Sequence, residues 1–259
     1  MPELTSLQNP RVKTIVKLRD DKRQRQREGA MLVEGHYELE LALASGLHPR
    51  EVFLCEELAA GKAVAGLDLL PVTVTRSVFE KMSHREGPDG WLAVFPSPRQ
   101  TLDSLPLSAS PFLILAESVE KPGNLGAILR TADAAGVDGL LVCDPRVDLY
   151  NPNVVRASRG TLFTVPAAET TNREALAWLR ANRIRVLAAT PHTDLLYTDV
   201  DLRQPVCIAV GTEDAGLTDF WMDNADLRMK IPMAGKVNSL NVSTSTAVIL
   251  YEAVRQRRI

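Results

Sequence analysis

From Phe112 onward, short apolar runs alternate with amphipathic segments, and this alternation constrains the fold more than any other feature of the chain. Strands are expected at 112–116, 139–143, 184–189, 206–210 and 227–231, and helices at about 124–135, 152–158, 172–182 and 242–256. A run such as Phe112-Leu113-Ile114-Leu115-Ala116 has no polar face, so it suits a strand covered on both sides. The pattern predicts an α/β domain with a mostly parallel sheet. Ligands on such sheets bind beyond the carboxyl ends of the strands, so the loops there carry the chemistry.

Residues 96–111 hold four prolines and four serines, a composition that opposes both helix and sheet. They read as a linker that divides the 259 residues into a domain at 1–95, a linker at 96–110 and a domain at 111–259. In the first domain, Asn9-Pro10 starts a helix with an apolar stripe at Val12, Ile15, Val16 and Leu18. Strands at 31–33, 51–54, 71–74 and 91–95, with helices at 36–44 and 77–82, complete a small α/β unit.

The net charge of −2 hides an asymmetry: residues 1–30 carry eight Lys or Arg and four acids, a local +4 on a body of −6. Distribution rather than total charge decides whether a phosphate backbone is bound. Arg19, Lys22, Arg23, Arg25 and Arg27, with Arg156 and Arg159, are the candidate contacts to such a backbone. Three scattered cysteines form neither a disulfide framework nor a zinc spacing. The four histidines (36, 48, 84 and 192) are dispersed, so no metal site is expected. No apolar run approaches a membrane span, and residues 1–13 have no signal-like apolar core, so a cytoplasmic location is expected.

Three loops stand out. After the 112–116 strand comes Lys121-Pro122-Gly123-Asn124, where Asn124 is placed to cap the following helix, and then Leu125-Gly126-Ala127-Ile128-Leu129-Arg130-Thr131-Ala132. After the 206–210 strand comes Gly211-Thr212-Glu213-Asp214-Ala215-Gly216-Leu217, which lacks the glycine spacing of a dinucleotide loop. The third runs from Ile231-Pro232 through Gly235-Lys236 to Ser239-Leu240-Asn241-Val242-Ser243. It fails the P-loop pattern, which needs Gly at Lys230 and Ser or Thr at Val237. Taken singly, each loop reads equally well as a capped turn.

In this order and spacing, the loops resemble the three motifs of the SpoU (TrmH-like) branch of the SPOUT methyltransferases. Asn124, Gly126 and Arg130 fall in the key positions of the first motif, and residues 151–163 are similar to the family's "v-R-A-S-x-G-x-x-F" stretch. The resemblance covers residues 111–259. The first domain is similar, more loosely, to the family's substrate-binding domain, which resembles a ribosomal-protein RNA-binding module. Glu117 stands where many members have Asp, and Asp214 where glycine is common.

The resemblance implies a deep trefoil α/β-knot, a homodimer, S-adenosylmethionine as cofactor, and 2′-O-ribose methylation of RNA. It places the cofactor against main-chain groups of Thr190, Gly211, Ile231 and Leu240. It also implies that Arg130 acts on the 2′-hydroxyl, with Asn124, Glu213, Ser239 and Asn241 as supporting polar groups. A guanidinium stays protonated, so Arg130 suits stabilising alkoxide charge and gripping a phosphate better than acting as a base. The apolar stripe at Ala247, Leu250, Tyr251 and Val254 fits a dimer interface or ordinary core. The separate first domain favours 23S ribosomal RNA as substrate, with transfer RNA second. A non-catalytic RNA-binding or ribosome-assembly protein and a nucleotide-dependent α/β enzyme are the competing classes.

Overall fold

The computed structural model of the chain describes residues 3–258. They form two compact units, one running through Pro98 and including Asp148–Thr164, the other comprising Arg99–Val147 and the residues from Val165 onward. In chain order the first unit contains α1 (Pro10–Asp20), α2 (Lys22–Glu28), β1 (Ala30–Glu34), α3 (His36–Ala44), β2 (Glu51–Leu54), α4 (Glu56–Ala59), β3 (Val72–Thr73), α5 (Arg76–Met82) and β4 (Trp91–Pro96). The second contributes β5 (Phe112–Glu117), α6 (Pro122–Ala135) and β6 (Gly139–Cys143), before α7 (Pro152–Ser158) returns to the first. It then continues with β7 (Ala167–Thr170), α8 (Asn172–Ala181), β8 (Arg185–Ala189), β9 (Val206–Val210), α9 (Asp219–Asn224), β10 (Leu227–Met229) and α10 (Val242–Arg257).

The first unit is built on a four-stranded sheet of order β1-β4-β2-β3, antiparallel except for the β2–β3 pair. The α1 face bearing Val12, Ile15 and Leu18 is buried in one core with Phe53, Val78, Phe79 and Met82. Asn9 starts α1 by accepting the Arg11 N–H at 2.9 Å, and Pro10 follows where a missing donor costs nothing. The basic segment is two helices rather than one. Asp21 adopts an extended backbone, and its carboxylate accepts the Arg23 N–H at 2.8 Å, which restarts the chain as α2.

That restart turns Arg25 inward, and its reading as an RNA contact is corrected. Arg25 is 4% exposed, and its Nη2 and Nε meet the Asp148 carboxylate at 2.8 and 3.3 Å. Its Nη1 donates to the carbonyls of Leu18 and Arg19 at 2.7 and 2.9 Å, which belong to the last turn of α1. Arg19 is also largely committed, binding Asp20 and donating to the carbonyls of Lys81 and Ser83 at 2.9 and 2.8 Å. Arg23, Arg27, Arg156 and Arg159 are exposed, and Lys22 is half-buried.

The second unit holds a six-stranded, wholly parallel sheet of order β10-β8-β9-β5-β6-β7. β5, β6 and β9 are buried at every position, as their unbroken apolar runs require. Leu113, Leu115, Leu141, Cys143, Cys207 and Ala209 share one core with Leu176 and Leu179 of α8 and Trp221 of α9. Alternate residues point the other way, and there the Arg257 guanidinium of α10 lies 4.6 Å from the Phe112 ring centroid. The 96–110 stretch is structured in part: Leu102–Ser104 form a 3-10 turn, and Leu105 is buried in the second unit's core. Small and polar residues hid β7 (Ala-Ala-Glu-Thr) from the hydrophobic pattern, and α9, six residues long with its apolar Phe220-Trp221-Met222 contiguous, is too short to show a helical period.

Candidate active site

β5 and β9 are neighbours, and the chain leaves them towards opposite sides of the sheet, so a crevice opens at their carboxyl ends. The loop after β9 closes on itself: Thr212 and Gly216 exchange backbone hydrogen bonds at 3.0 and 3.1 Å, and the Thr212 hydroxyl accepts the Ala215 N–H at 3.1 Å. Asp214 sits exposed at the tip of this turn, so the turn closes with an aspartate there. Gly211 lies beneath it, where an added Cβ would come within 2.1 Å of the Gly216 backbone. The far end of the loop is fixed by Glu117, 1% exposed at the end of β5. Its carboxylate accepts from Asn172 Nδ2 at 2.6 Å, Thr218 Oγ1 at 2.7 Å and Thr218 N at 2.8 Å. Asn172 in turn accepts the Trp221 indole N–H at 2.7 Å.

Three of the expected polar residues meet here. α6 begins at Pro122 after Lys121, so Asn124 lies in its first turn and is not its cap. Its amide Nδ2 is free to turn outward and donates to Glu213 Oε1. Asn241 precedes α10, where its Oδ1 accepts the Ser243 N–H at 2.9 Å, and its Nδ2 donates to Glu213 Oε1 at 2.5 Å and Asn124 Oδ1 at 3.2 Å. Lys121, which no sequence signal marked beyond its place before Pro122, binds the other Glu213 oxygen. The Lys121 ammonium and the Asn124 amide hold the Glu213 carboxyl below the ordinary glutamate range, so it is ionised at neutral pH.

Two cavities flank the 212–217 loop. The larger, about 590 Å³, is lined by Thr190, Gly211, Ile231, Ser239 and Leu240, which brings all four expected cofactor residues to one wall. Glu213, Asp214, Asp219 and Asp223 line it against a single Arg228, a balance that suits a cationic ligand. Its volume falls in the range of roughly 300–1,000 Å³ that small-molecule sites occupy. Thr190 is buried, and its N–H is committed to the Met229 carbonyl at 2.9 Å. The second cavity, about 530 Å³, is lined by Glu117, Lys121, Asn124, Arg146 and Glu213. Glu213 therefore borders both.

Two residues stand apart from the Asn124–Glu213–Asn241 group. The Ser239 hydroxyl is exposed and bonds only Asn238, at 3.4 Å, among the described residues. Arg130 is exposed on α6, six residues beyond Asn124, which puts it about 9 Å along the helix and about 120° around it. Among the described residues its guanidinium has no hydrogen bond or ion pair. The α10 stripe is divided: Leu250 and Val254 are buried, whereas Tyr251 is 52% exposed.

Residues 111–251 match the model of the SpoU rRNA Methylase family, and residues 9–93 match that of an MRM3-like substrate binding domain. The chain is 33% identical over 250 residues to the Streptomyces viridochromogenes protein named 23S rRNA (uridine(2479)-2'-O)-methyltransferase, covering 92% of this chain and 86% of that one. It is 27% identical to the Bacillus subtilis 23S rRNA (guanosine(2553)-2'-O)-methyltransferase RlmP, covering 97% and 98%. Among solved structures, the AdoMet-bound rRNA methyltransferase of Sinorhizobium meliloti superposes with a TM-score of 0.88 at 31% identity, over 98% and 97% of the two chains. No helix among the described residues is long and apolar enough to cross a membrane.

Proposed function

The chain belongs to the SpoU rRNA methylase family, and from that premise we propose that it methylates a ribose 2′-hydroxyl of 23S ribosomal RNA with S-adenosylmethionine as donor. The observation that carries this reading is the hydrogen-bonded Asn124–Glu213–Asn241 group, with Glu213 bordering both cavities. S-adenosylmethionine supplies a methyl group activated on a sulfonium. Thr190, Gly211, Ile231 and Leu240 would hold it in the larger, acid-lined cavity, with Thr190 offering its carbonyl because its N–H is committed. The 530 Å³ cavity is the place for the target nucleotide.

Glu213, already held ionised by cationic and amide donors, is a poor acceptor for the hydroxyl proton. Its task is to fix the two asparagine amides, with Ser239 a further polar group at the cavity wall. Arg130 stabilises developing alkoxide charge and grips the adjacent phosphate. Because it stands off the group in its own chain, we favour a homodimer in which a second copy brings it to the ribose, with exposed Tyr251 at the contact. The family's trefoil knot is part of the same proposal, supported by the match over residues 111–251. Lys22, Arg23, Arg27, Arg156 and Arg159 remain the proposed phosphate contacts.

The test is Arg130→Ala. Methyl transfer to 23S rRNA transcripts is expected to be abolished, while S-adenosylmethionine affinity by calorimetry stays close to wild type. Turnover near the normal rate would remove Arg130 from the site, and a monomer by light scattering would remove the dimer.

A further inference from the structure

Arg159 occupies a backbone position that favours glycine. It follows α7 in the left-handed region, with φ +55°, where a side chain crowds its own backbone. The next residue, Gly160, has φ +83° and is pressed onto α3, where an added Cβ would lie 2.7 Å from Leu41 Cδ1. This lock fixes the Arg159 backbone relative to α3. From the second position of α3, Tyr37 stands 50% exposed, with the Arg159 guanidinium 5.7 Å from its ring centroid. A planar cation is thus held over the face of a half-exposed aromatic ring at the surface of one unit, at the expense of backbone strain.

Of the arginines nearby, Arg19 is paired with Asp20 and Arg85 with Glu38, which leaves Arg156 as the open cation among the described residues. Arg156, one helical turn before Arg159, is exposed and lines a notch with Arg19, His84 and Arg85. The acid in that notch, Glu34, is committed to the Ser83 hydroxyl and the His84 N–H. Arg85 is paired with Glu38 at 2.8 Å, next in sequence to Tyr37. A guanidinium fixed over a half-exposed tyrosine ring, with exposed Arg156 one helical turn away, suits a flat ring joined to a phosphate.

We propose that Tyr37 and Arg159 form a stacking platform for an unpaired nucleobase of the RNA substrate, with Arg156 taking an adjacent phosphate. Stacking on aromatic and guanidinium planes is the general means of holding single-stranded RNA, and it tolerates any base. This rests on the RNA-methyltransferase reading and adds to it where the first unit grips its substrate. It moves the principal contact away from α2, where Arg25 is buried, to the surface carrying Tyr37, Arg156 and Arg159.

The probe is a single-stranded RNA pentamer carrying 2-aminopurine, titrated into the full-length protein. Stacking on Tyr37 quenches the fluorophore in the wild type and in Tyr37→Phe, and quenching is lost in Tyr37→Ala. The Tyr37→Ala dissociation constant rises about tenfold to a hundredfold. Arg159→Gly relieves the backbone, so its thermal midpoint should stay at or above wild type while its RNA affinity falls. Absence of wild-type quenching, or equal quenching by Tyr37→Ala, overturns the platform. So does an Arg159→Gly protein that binds as wild type. Methyl transfer to 23S rRNA is scored in parallel: activity with a failed quenching test sinks the platform alone, and no activity in the wild type sinks the enzymatic reading itself.

Discussion

The burial of Arg25 gives a sharp test, because sequence and structure assign it opposite roles. If it is a structural ion, Arg25→Ala leaves Asp148 charged, 7% exposed and unpaired, and strips the Leu18 and Arg19 carbonyls of their donor. Breaking a buried pair from one side costs about 3–5 kcal/mol. With a urea slope of about 2 kcal/mol per molar, the midpoint of the first unit falls by roughly 1.5–2.5 M. Pulsed hydrogen exchange along a urea series reads this from the β1 and β4 amides of the full chain. Arg23→Ala and Arg27→Ala, both exposed, should stay within about 0.5 kcal/mol. Replacing both partners by apolar residues, Arg25→Met with Asp148→Leu, should recover most of the loss, since no charge is left stranded. A midpoint for Arg25→Ala within about 0.5 M urea of wild type, which is about 1 kcal/mol, with RNA affinity reduced as in the Arg23 and Arg27 variants, would refute the structural role.

Other expectations follow from the second unit. Gly211→Ala puts a methyl 2.1 Å from the Gly216 backbone, so the 212–216 turn must move; S-adenosylmethionine affinity by calorimetry should fall at least about tenfold, and unchanged affinity would separate the cofactor from this loop. Glu117→Gln turns an acceptor-only group into one that presents N–H towards the Thr218 donors. It should cost about 1–3 kcal/mol, seen as a thermal midpoint lower by roughly 2–10 °C. Glu213 is held below its ordinary value of 4.5, so its contribution to the site is present above that pH and is lost as pH falls through its lower folded value. Cofactor affinity should therefore be flat from neutral pH to about 5 and decline below 4.5, and Glu213→Gln should remove that step.

The sequence was most legible where burial is complete. β5, β6 and β9 have apolar runs that admit little but a covered parallel strand, and α7 falls at 152–158 as the pattern places it. Legibility failed where an answer depended on a distant partner. Nothing near Arg25 announces Asp148, 123 residues away, so its charge looked available to solvent. The Asp20-Asp21 pair reads as two more charges, although Asp21 breaks the helix by capping the next. Asn124 looked like a helix cap because Asn usually serves there, whereas Pro122 starts α6 earlier and frees the amide for Glu213. The four expected cofactor residues and the Asn124–Glu213–Asn241 group were reachable only through the family resemblance that the order of three motifs carries, since no single loop has a spacing that demands them.

The return of Asp148–Thr164 to the first unit bears on how such a chain is taken apart or recombined. These residues lie within the 111–251 match, yet Pro152, Val154 and Val155 are buried and Asp148 neutralises Arg25. A fragment ending at Pro98 would leave that arginine stranded and the Gly160 seat on Leu41 vacant. Exchanging the substrate-binding module between relatives is therefore a two-segment graft, in which residues 148–164 travel with the N-terminal piece.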